Sequence, residues 1–145
     1  NRWSRKRISP RLAIGIHILA FVQCVPDQKS IDSEIVSKSI GTNAVVVRRM
    51  SSAFKKAGLL KSVSIKKGLM LAKKPENITL YEILKAVDPS NELFVVHQKV
   101  NPQCTYGQSI VKVIESEFRT VQAELEGNLK KKTLHDLMKK VVTHS

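Results

Sequence analysis

The chain has 145 residues, 42% of them hydrophobic, and a formal net charge of +13 at pH 7. This length suits one domain, or a small domain with an appendage, and the apolar content supports a packed core and excludes a disordered chain. Residues 1–74 hold 16 Lys and Arg against 3 Asp and Glu, whereas residues 75–145 hold nine of each, so we expect the N-terminal half to bind a polyanion.

The first predicted element is a helix from Pro10 to Cys24. Its apolar stripe consists of Leu12, Ile16, Leu19 and Ala20. A basic start, an apolar run and a Cys also form the pattern of a secretory signal peptide, but this run is short and contains His17. We therefore interpret it as a helix of the core. No other stretch is long and apolar enough to span a membrane.

The stretch from Ser30 to Gly58 is predicted to form two short helices joined by a turn at Gly41. Ser30 and Thr42 are the expected N-caps. The predicted core side comprises Ile31, Ile35 and Val36 in the first helix, and Val45, Val46, Met50 and Phe54 in the second. The outward face of the second helix carries Asn43, Arg48, Arg49, Lys55 and Lys56, with no acid before Lys74. This layout is typical of a helix-turn-helix, although a basic helix face is often only a solvated one.

A β-hairpin, or wing, is predicted next. Leu59–Val63 and Leu69–Ala72 are strand-like, and the turn between them presents Lys66 and Lys67. Thr79 and Glu82 then match a capping box, which predicts the start of another helix.

The C-terminal half is predicted to contain an irregular stretch from Glu92 to Gly107 and a long helix. Apolar residues recur along this helix at spacings of three and four: Ile110, Ile114, Phe118, Val121, Leu125 and Leu129. Such a narrow stripe predicts a homodimer seam, and the alternative is packing on its own domain. Thr133 and Asp136 cap a last helix that lies on the dimer or on the winged domain. The predicted units are residues 1–87, 88–129 and 130–145.

Two runs, NAVVVRRMSSAFKKAGLLKS and KPENITLYEILKAV, carry a resemblance to a known family. Together with the order of elements from Arg11 to Val142, they resemble the Rrf2 family of bacterial winged helix-turn-helix transcription regulators, most closely its YwnA-like branch. The resemblance implies a mainly helical fold with a small hairpin wing, and a homodimer that binds operator DNA through a recognition helix at Thr42–Lys56. The positions that it implies face DNA are Arg11, Ser33, Thr42, Asn43, Ala44, Val45, Arg48, Arg49, Lys66 and Lys67.

Two features depart from this family. Its members often carry a Gly-rich wing, whereas this chain has SIKKG, which is shorter and more basic. Its cluster-binding members carry three cysteines after the fourth helix, whereas only Cys104 is present here, so we expect no iron–sulfur cluster. His97, Cys104 and His135 are an alternative metal site, but their spacing is unspecific, and we expect no metal and no cofactor.

Cys104 lies just ahead of the long helix, where the helix dipole and free N–H groups favour the reactive thiolate. We expect it to sense oxidants or electrophiles, with Cys24 as a possible resolving partner. The alternative is that Cys104 is a half-buried packing residue and Cys24 a core residue.

The sequence therefore predicts a cytoplasmic, homodimeric, sequence-specific DNA-binding regulator, a repressor that binds a palindromic operator. The alternative is a winged-helix adaptor that binds protein or RNA without operator specificity. Motifs for catalysis are absent from the sequence, so we do not expect an enzyme.

Overall fold

The computed structural model describes residues 10–25, 31–63, 68–90, 94, 96, 97 and 99–144, with the backbone alone for 142–144. The elements are α1 (Arg11–Cys24), α2 (Ser33–Ile40), α3 (Ala44–Lys56), β1 (Leu60–Ser62), β2 (Leu69–Leu71), a 3₁₀ helix (Pro75–Asn77), α4 (Leu80–Val87), α5 (Thr105–Lys131) and α6 (Leu134–His144). The predicted fold, mainly helical with a hairpin wing, is confirmed. Among the described helices, none combines the length and the apolarity that crossing a bilayer requires.

Capping side chains set where α2 and α3 begin. Asp32 Oδ1 accepts a hydrogen bond from the backbone N–H three residues later at 2.9 Å, and Asn43 Oδ1 does the same at 3.0 Å. The predicted caps, Ser30 and Thr42, are therefore wrong, and Ser30 itself lies outside the described residues. The second helix begins at Ala44 because the Asn43 side chain accepts a hydrogen bond from a backbone N–H that would otherwise lack a partner in the first turn.

Gly41 makes the turn between α2 and α3. Its φ of 83° lies in the left-handed region, which costs glycine little because it has no Cβ. The N–H groups of Gly41 and Thr42 both donate to the carbonyl of Ser37, at 2.8 and 3.1 Å, so the end of α2 is satisfied. The predicted break is confirmed.

The core forms where α1 crosses α3 and α4. A Cβ at Gly15 would lie 3.0 Å from side-chain atoms of Phe54 and Val87, so a larger residue here would force those side chains to shift. The fully buried side chains around the crossing include Ile18, Leu19, Val22, Val47, Phe54 and Ile83.

The predicted core face of α3 is partly wrong. Val47 is fully buried, whereas Val45 is 46% exposed. Val47 precedes Met50 by three residues and Phe54 by seven, which places the three side chains on one face, while Val45 lies on another. Ile35 on α2 is likewise exposed rather than buried.

The wing is a two-stranded antiparallel hairpin whose base belongs to the core. Leu60 pairs with Leu71 and Ser62 with Leu69, and all three leucines are buried. The predicted hairpin is therefore confirmed. Its tip, residues 64–67, lies outside the described residues, and so do Lys66 and Lys67.

The start of α4 carries the predicted capping box. Thr79 Oγ1 accepts from the Glu82 N–H at 3.1 Å, and the Glu82 carboxylate accepts from the Thr79 N–H at 3.3 Å. Glu82 also forms an ion pair with Lys73 at 2.8 Å, which joins α4 to the end of the wing.

The chain after α5 returns to the winged domain. The Leu80 N–H donates to the Lys132 carbonyl at 2.9 Å, and the Leu134 N–H donates to the Ile78 carbonyl at 2.8 Å. Leu134 is fully buried in the same core as Phe54. Thr133 and Asp136 cap α6 as predicted, with hydrogen bonds of 3.0 and 3.1 Å. The last helix therefore packs on the winged domain of its own chain.

The long helix α5 has 27 residues, which corresponds to about 40 Å. It begins at Thr105, earlier than the predicted boundary at Gly107. Val111 is the buried residue that α5 contributes. Near its other end, Lys130 Nζ lies 4.6 Å from the centre of the Tyr81 ring, a cation–π contact that joins α5 to α4.

Candidate nucleic-acid interface

The outward face of α3 is basic and exposed. Arg48, Arg49, Lys55 and Lys56 are all exposed, and neither arginine forms an ion pair with an acid in the described part of the chain. Their guanidinium groups therefore remain available for phosphate oxygens or for guanine, which an arginine can bind with two parallel hydrogen bonds.

The first turn of α3 adds polar and apolar groups to this face. Asn43 and Val45 are exposed, whereas Thr42 and Ala44 are half-buried. Val45 precedes Arg48 and Arg49 by three and four residues, so these side chains are neighbours on the helix surface. The structure thus brings four of the predicted DNA-facing residues together, while Thr42 and Ala44 are less accessible.

The two residues expected at phosphates begin other helices. Arg11 is exposed at the first position of α1, and Ser33 is half-buried at the first position of α2. Ser33 lines a groove of about 490 Å³ that runs between α2, α3 and β2. The described residues that line it are Asp32, Ser33, Glu34, Arg48, Ser51, Ser52, Lys55 and Leu69.

Two acids at the start of α2 belong to this surface, although the sequence analysis did not identify them. Asp32 and Glu34 line the same groove as Arg48 and Lys55. They are two of the three acids within residues 1–74, so their rarity in a basic half was a signal that they occupy a particular place. Their charge lowers the positive potential at this edge of the α3 face.

A second surface is apolar and lies on α5. Of the predicted seam, Ile110 is 56% and Val121 41% exposed, whereas Ile114, Phe118 and Leu125 are half-buried. The Phe118 ring packs 5.4 Å from that of Phe94 and so faces its own chain. Tyr106 and Val113, which the sequence analysis missed, are the most exposed apolar residues of this helix, at 82% and 61%. Tyr106 precedes Ile110 by four residues and Val113 follows it by three. This helical spacing could have identified both from the sequence.

Both cysteines are exposed. Cys104 is the N-cap of α5, and its Sγ accepts a hydrogen bond from the Gly107 N–H at 3.3 Å. Cys24 is the last residue of α1. This exposure contradicts the alternative interpretation, in which Cys104 is a half-buried packing residue and Cys24 a core residue.

Comparisons with known proteins agree on one kind of molecule. The profile of the Rrf2 family, described as iron-dependent transcriptional regulators, matches residues 8–140. YwnA of Bacillus subtilis (strain 168), named as an HTH-type transcriptional regulator, is 43% identical over 131 residues, which are 90% of this chain and 96% of YwnA. A crystal structure described as a DNA-binding protein is 39% identical, with a TM-score of 0.72 over 88% of this chain and 98% of that one. CymR of B. subtilis, described as the global cysteine regulator, shares the fold, with a TM-score of 0.67 at 19% identity over 92% of this chain and 96% of CymR.

The iron in that family description raises the question of whether this chain could hold it. Iron and iron–sulfur centres need several thiolate, imidazole or carboxylate ligands that converge on one point. The sequence contains two cysteines, at opposite ends of different helices. Across the described ranges, no three His, Cys, Asp or Glu side chains come close enough to ligate one ion. These residues do not fit an iron site.

Proposed function

Since this chain belongs to the Rrf2 family of transcription regulators, we propose that it is a homodimeric repressor that recognises a palindromic operator and responds to thiol oxidation. DNA binding and a regulatory rather than an enzymatic role follow from the family itself.

The observation that carries the proposal is the exposed face of α3. It holds two arginines without ion pairs in the described chain, an exposed amide and an exposed valine, within a half that carries all the net positive charge. A helix of 13 residues with such a face fits the major groove of B-DNA. Acting on the chromosome would place the protein in the bacterial cytoplasm.

The exposed strip of α5 supports the dimer. Four apolar side chains of α5 are exposed to solvent, namely Tyr106, Ile110, Val113 and Val121. Among its described residues, the helix itself contributes one buried residue, Val111, to its own domain. Tyr106, Ile110 and Val113 follow one another at helical spacing, and exposed apolar residues grouped in this way mark an interface. A two-fold dimer through α5 would present two α3 helices, which fits half-sites about one helical turn, roughly 10 bp, apart. Occupying such a site across a promoter would exclude the polymerase, which is why we propose repression.

The position of Cys104 supports the thiol response. The thiol is exposed and its Sγ accepts the N–H of Gly107, so it belongs to the first turn of the helix that carries the apolar strip. A peroxide or hypochlorite would oxidise it to a sulfenic acid, which condenses with a second thiol to form a disulfide and water. Replacing the cap in this way would disturb the start of α5 and with it the spacing of the two α3 helices.

The first experiment is a gel shift of the purified chain with its own promoter region, with unrelated DNA of the same length and with RNA. We expect preference for the promoter, and a fall in log K against log salt of about 0.9 per phosphate contacted. Arg49→Ala should weaken binding, whereas Lys139→Ala, a matched loss of one charge on α6, should not. Equal affinity for all three nucleic acids would instead favour the adaptor function.

The second experiment treats the protein with diamide or hypochlorite and follows operator binding beside a non-reducing gel. We expect oxidation to change operator binding by wild type, and Cys104→Ser to bind the operator equally well with and without oxidant. Cys24→Ser separates an internal disulfide, which needs Cys24, from a mixed disulfide with a small thiol, which does not. An unchanged response in both variants would remove the sensor from the proposal.

A further inference from the structure

The hydrogen bond that caps α3 fixes the orientation of the Asn43 side-chain amide. Its Oδ1 accepts the Val46 N–H at 3.0 Å, and because a backbone N–H can only donate, the oxygen must face the helix. The amide Nδ2 of this exposed residue is therefore directed outward and offers N–H donors. Reading adenine with two hydrogen bonds requires the amide oxygen as an acceptor as well. While it caps α3, Asn43 favours a base edge that presents an acceptor.

Val45, in the first turn of α3, exposes an apolar side chain to solvent. It is 46% exposed, and the residues that follow it by three and four positions on the helix surface are Arg48 and Arg49. In the major groove one base carries an apolar group, the C5-methyl of thymine. Burying a valine against that methyl would remove apolar surface of both partners from water.

Thymine combines the two features that Asn43 and Val45 require. Its major-groove edge presents the O4 acceptor beside the C5-methyl, whereas guanine and adenine have acceptors without a methyl and cytosine presents a donor. We propose that Asn43 and Val45 together read one thymine in each half-site, with Nδ2 donating to O4 and the valine packed on the methyl. The inference rests on the proposed function, in which α3 enters the major groove.

The two arginines that follow Val45 on the helix predict a second base of the half-site. Arg48 and Arg49 lie about one turn, or 5.4 Å, further along α3, and base pairs stack about 3.4 Å apart. If either arginine reads guanine, that guanine lies within about two base pairs of the thymine. The expected half-site therefore contains a T and a G in close succession.

The test begins with selection of binding sites from random duplex DNA by the full chain. Each thymine of the selected half-site is then replaced by deoxyuridine, which removes the methyl alone. At one position we expect the replacement to weaken wild type about three- to fivefold, the value of roughly one buried methyl. The same replacement should have no effect on Val45→Ala, whereas Val141→Ala, a matched truncation of an exposed valine on α6, should keep the full wild-type effect.

A second variant separates the cap from the base contact. Asn43→Asp keeps a capping oxygen but has no N–H to donate. We expect its melting temperature to match wild type, while the preference for T over C at that position falls to what the methyl contact of Val45 alone provides.

The outcomes distinguish this inference from the proposed function. If selection enriches no sequence, the operator-binding function fails and the thymine contact with it. If a site is enriched but lacks thymine, or deoxyuridine affects wild type and Val45→Ala alike, the thymine contact is overturned and the function stands.

Discussion

The exposed strip of α5 allows a quantitative prediction for Ile110→Ala. Complete burial of an isoleucine contributes up to about 3 kcal/mol, and 56% of Ile110 is still exposed in the isolated chain. Covering that remainder is worth about 1.5 kcal/mol per chain, and a two-fold interface contains the residue twice. Because alanine keeps part of the contact, we expect a loss of about 2 kcal/mol, which corresponds to a roughly thirtyfold weaker dimer.

The assay is sedimentation equilibrium of wild type and variant over a range of protein concentrations, with operator binding measured in parallel. Arg119→Ala changes an exposed residue of the same helix on the face turned away from the strip and should leave dimerisation unchanged. Adding Val113→Ala should weaken the dimer further, since it is 61% exposed on the same face. A wild type that is monomeric at micromolar concentration, or a double variant that dimerises normally, would refute the assignment of this surface.

Three further predictions concern the winged domain itself. Thr79→Ala removes the capping box of α4 and should cost about 1 kcal/mol in urea unfolding, whereas Thr79→Ser should retain most of it. Gly41→Ala should cost about 1–2 kcal/mol, because φ is 83° and the cost comes from the backbone, nothing lying within 4 Å of the added Cβ. Burial raises the pKa of Glu82, but hydrogen bonds from Lys73 and Thr79 outweigh it and lower the pKa below its ordinary 4.5. Glu82 should therefore stabilise the fold fully above pH 4.5 and lose this contribution as the pH falls below that value, and Lys73→Met should flatten this dependence of the unfolding midpoint.

Each of these has a clear contrary result. A Thr79→Ser variant as unstable as Thr79→Ala would show that the hydroxyl does not cap α4. A Gly41→Ala variant of wild-type stability would mean that the turn relaxes to negative φ. An unchanged pH profile in Lys73→Met, together with an unchanged Glu82 titration by NMR, would show that the ion pair does not form in solution.

Local chemistry explains which elements were predictable. Gly41, the capping box at Thr79 and the paired caps at Thr133 and Asp136 act within a few residues, so their sequence signals need no knowledge of the rest of the chain. Capping also explains a failure: Thr42 and Asn43 are both good caps, and only the path of the chain selects between them.

Burial was less predictable, because it depends on which element lies opposite. The run Val45–Val47 offers three equivalent apolar residues, and periodicity can begin with any of them. In the folded chain Val47 enters the core with Met50 and Phe54, and Val45 faces outward, where it becomes a candidate base contact.

The amino-acid sequence by itself determined the one-sided charge and predicted the basic second helix, the hairpin and the long apolar stripe from residue types and spacings, and the class of protein followed from the resemblance of its runs to the Rrf2 family. The tertiary structure decided which atoms of those elements are available. It engages Asn43 Oδ1 within the helix, directs Phe118 toward Phe94 and leaves Tyr106 and Val113 in water. The reason is physical: spacing defines the faces of a helix, but only packing against other elements decides which face meets the solvent.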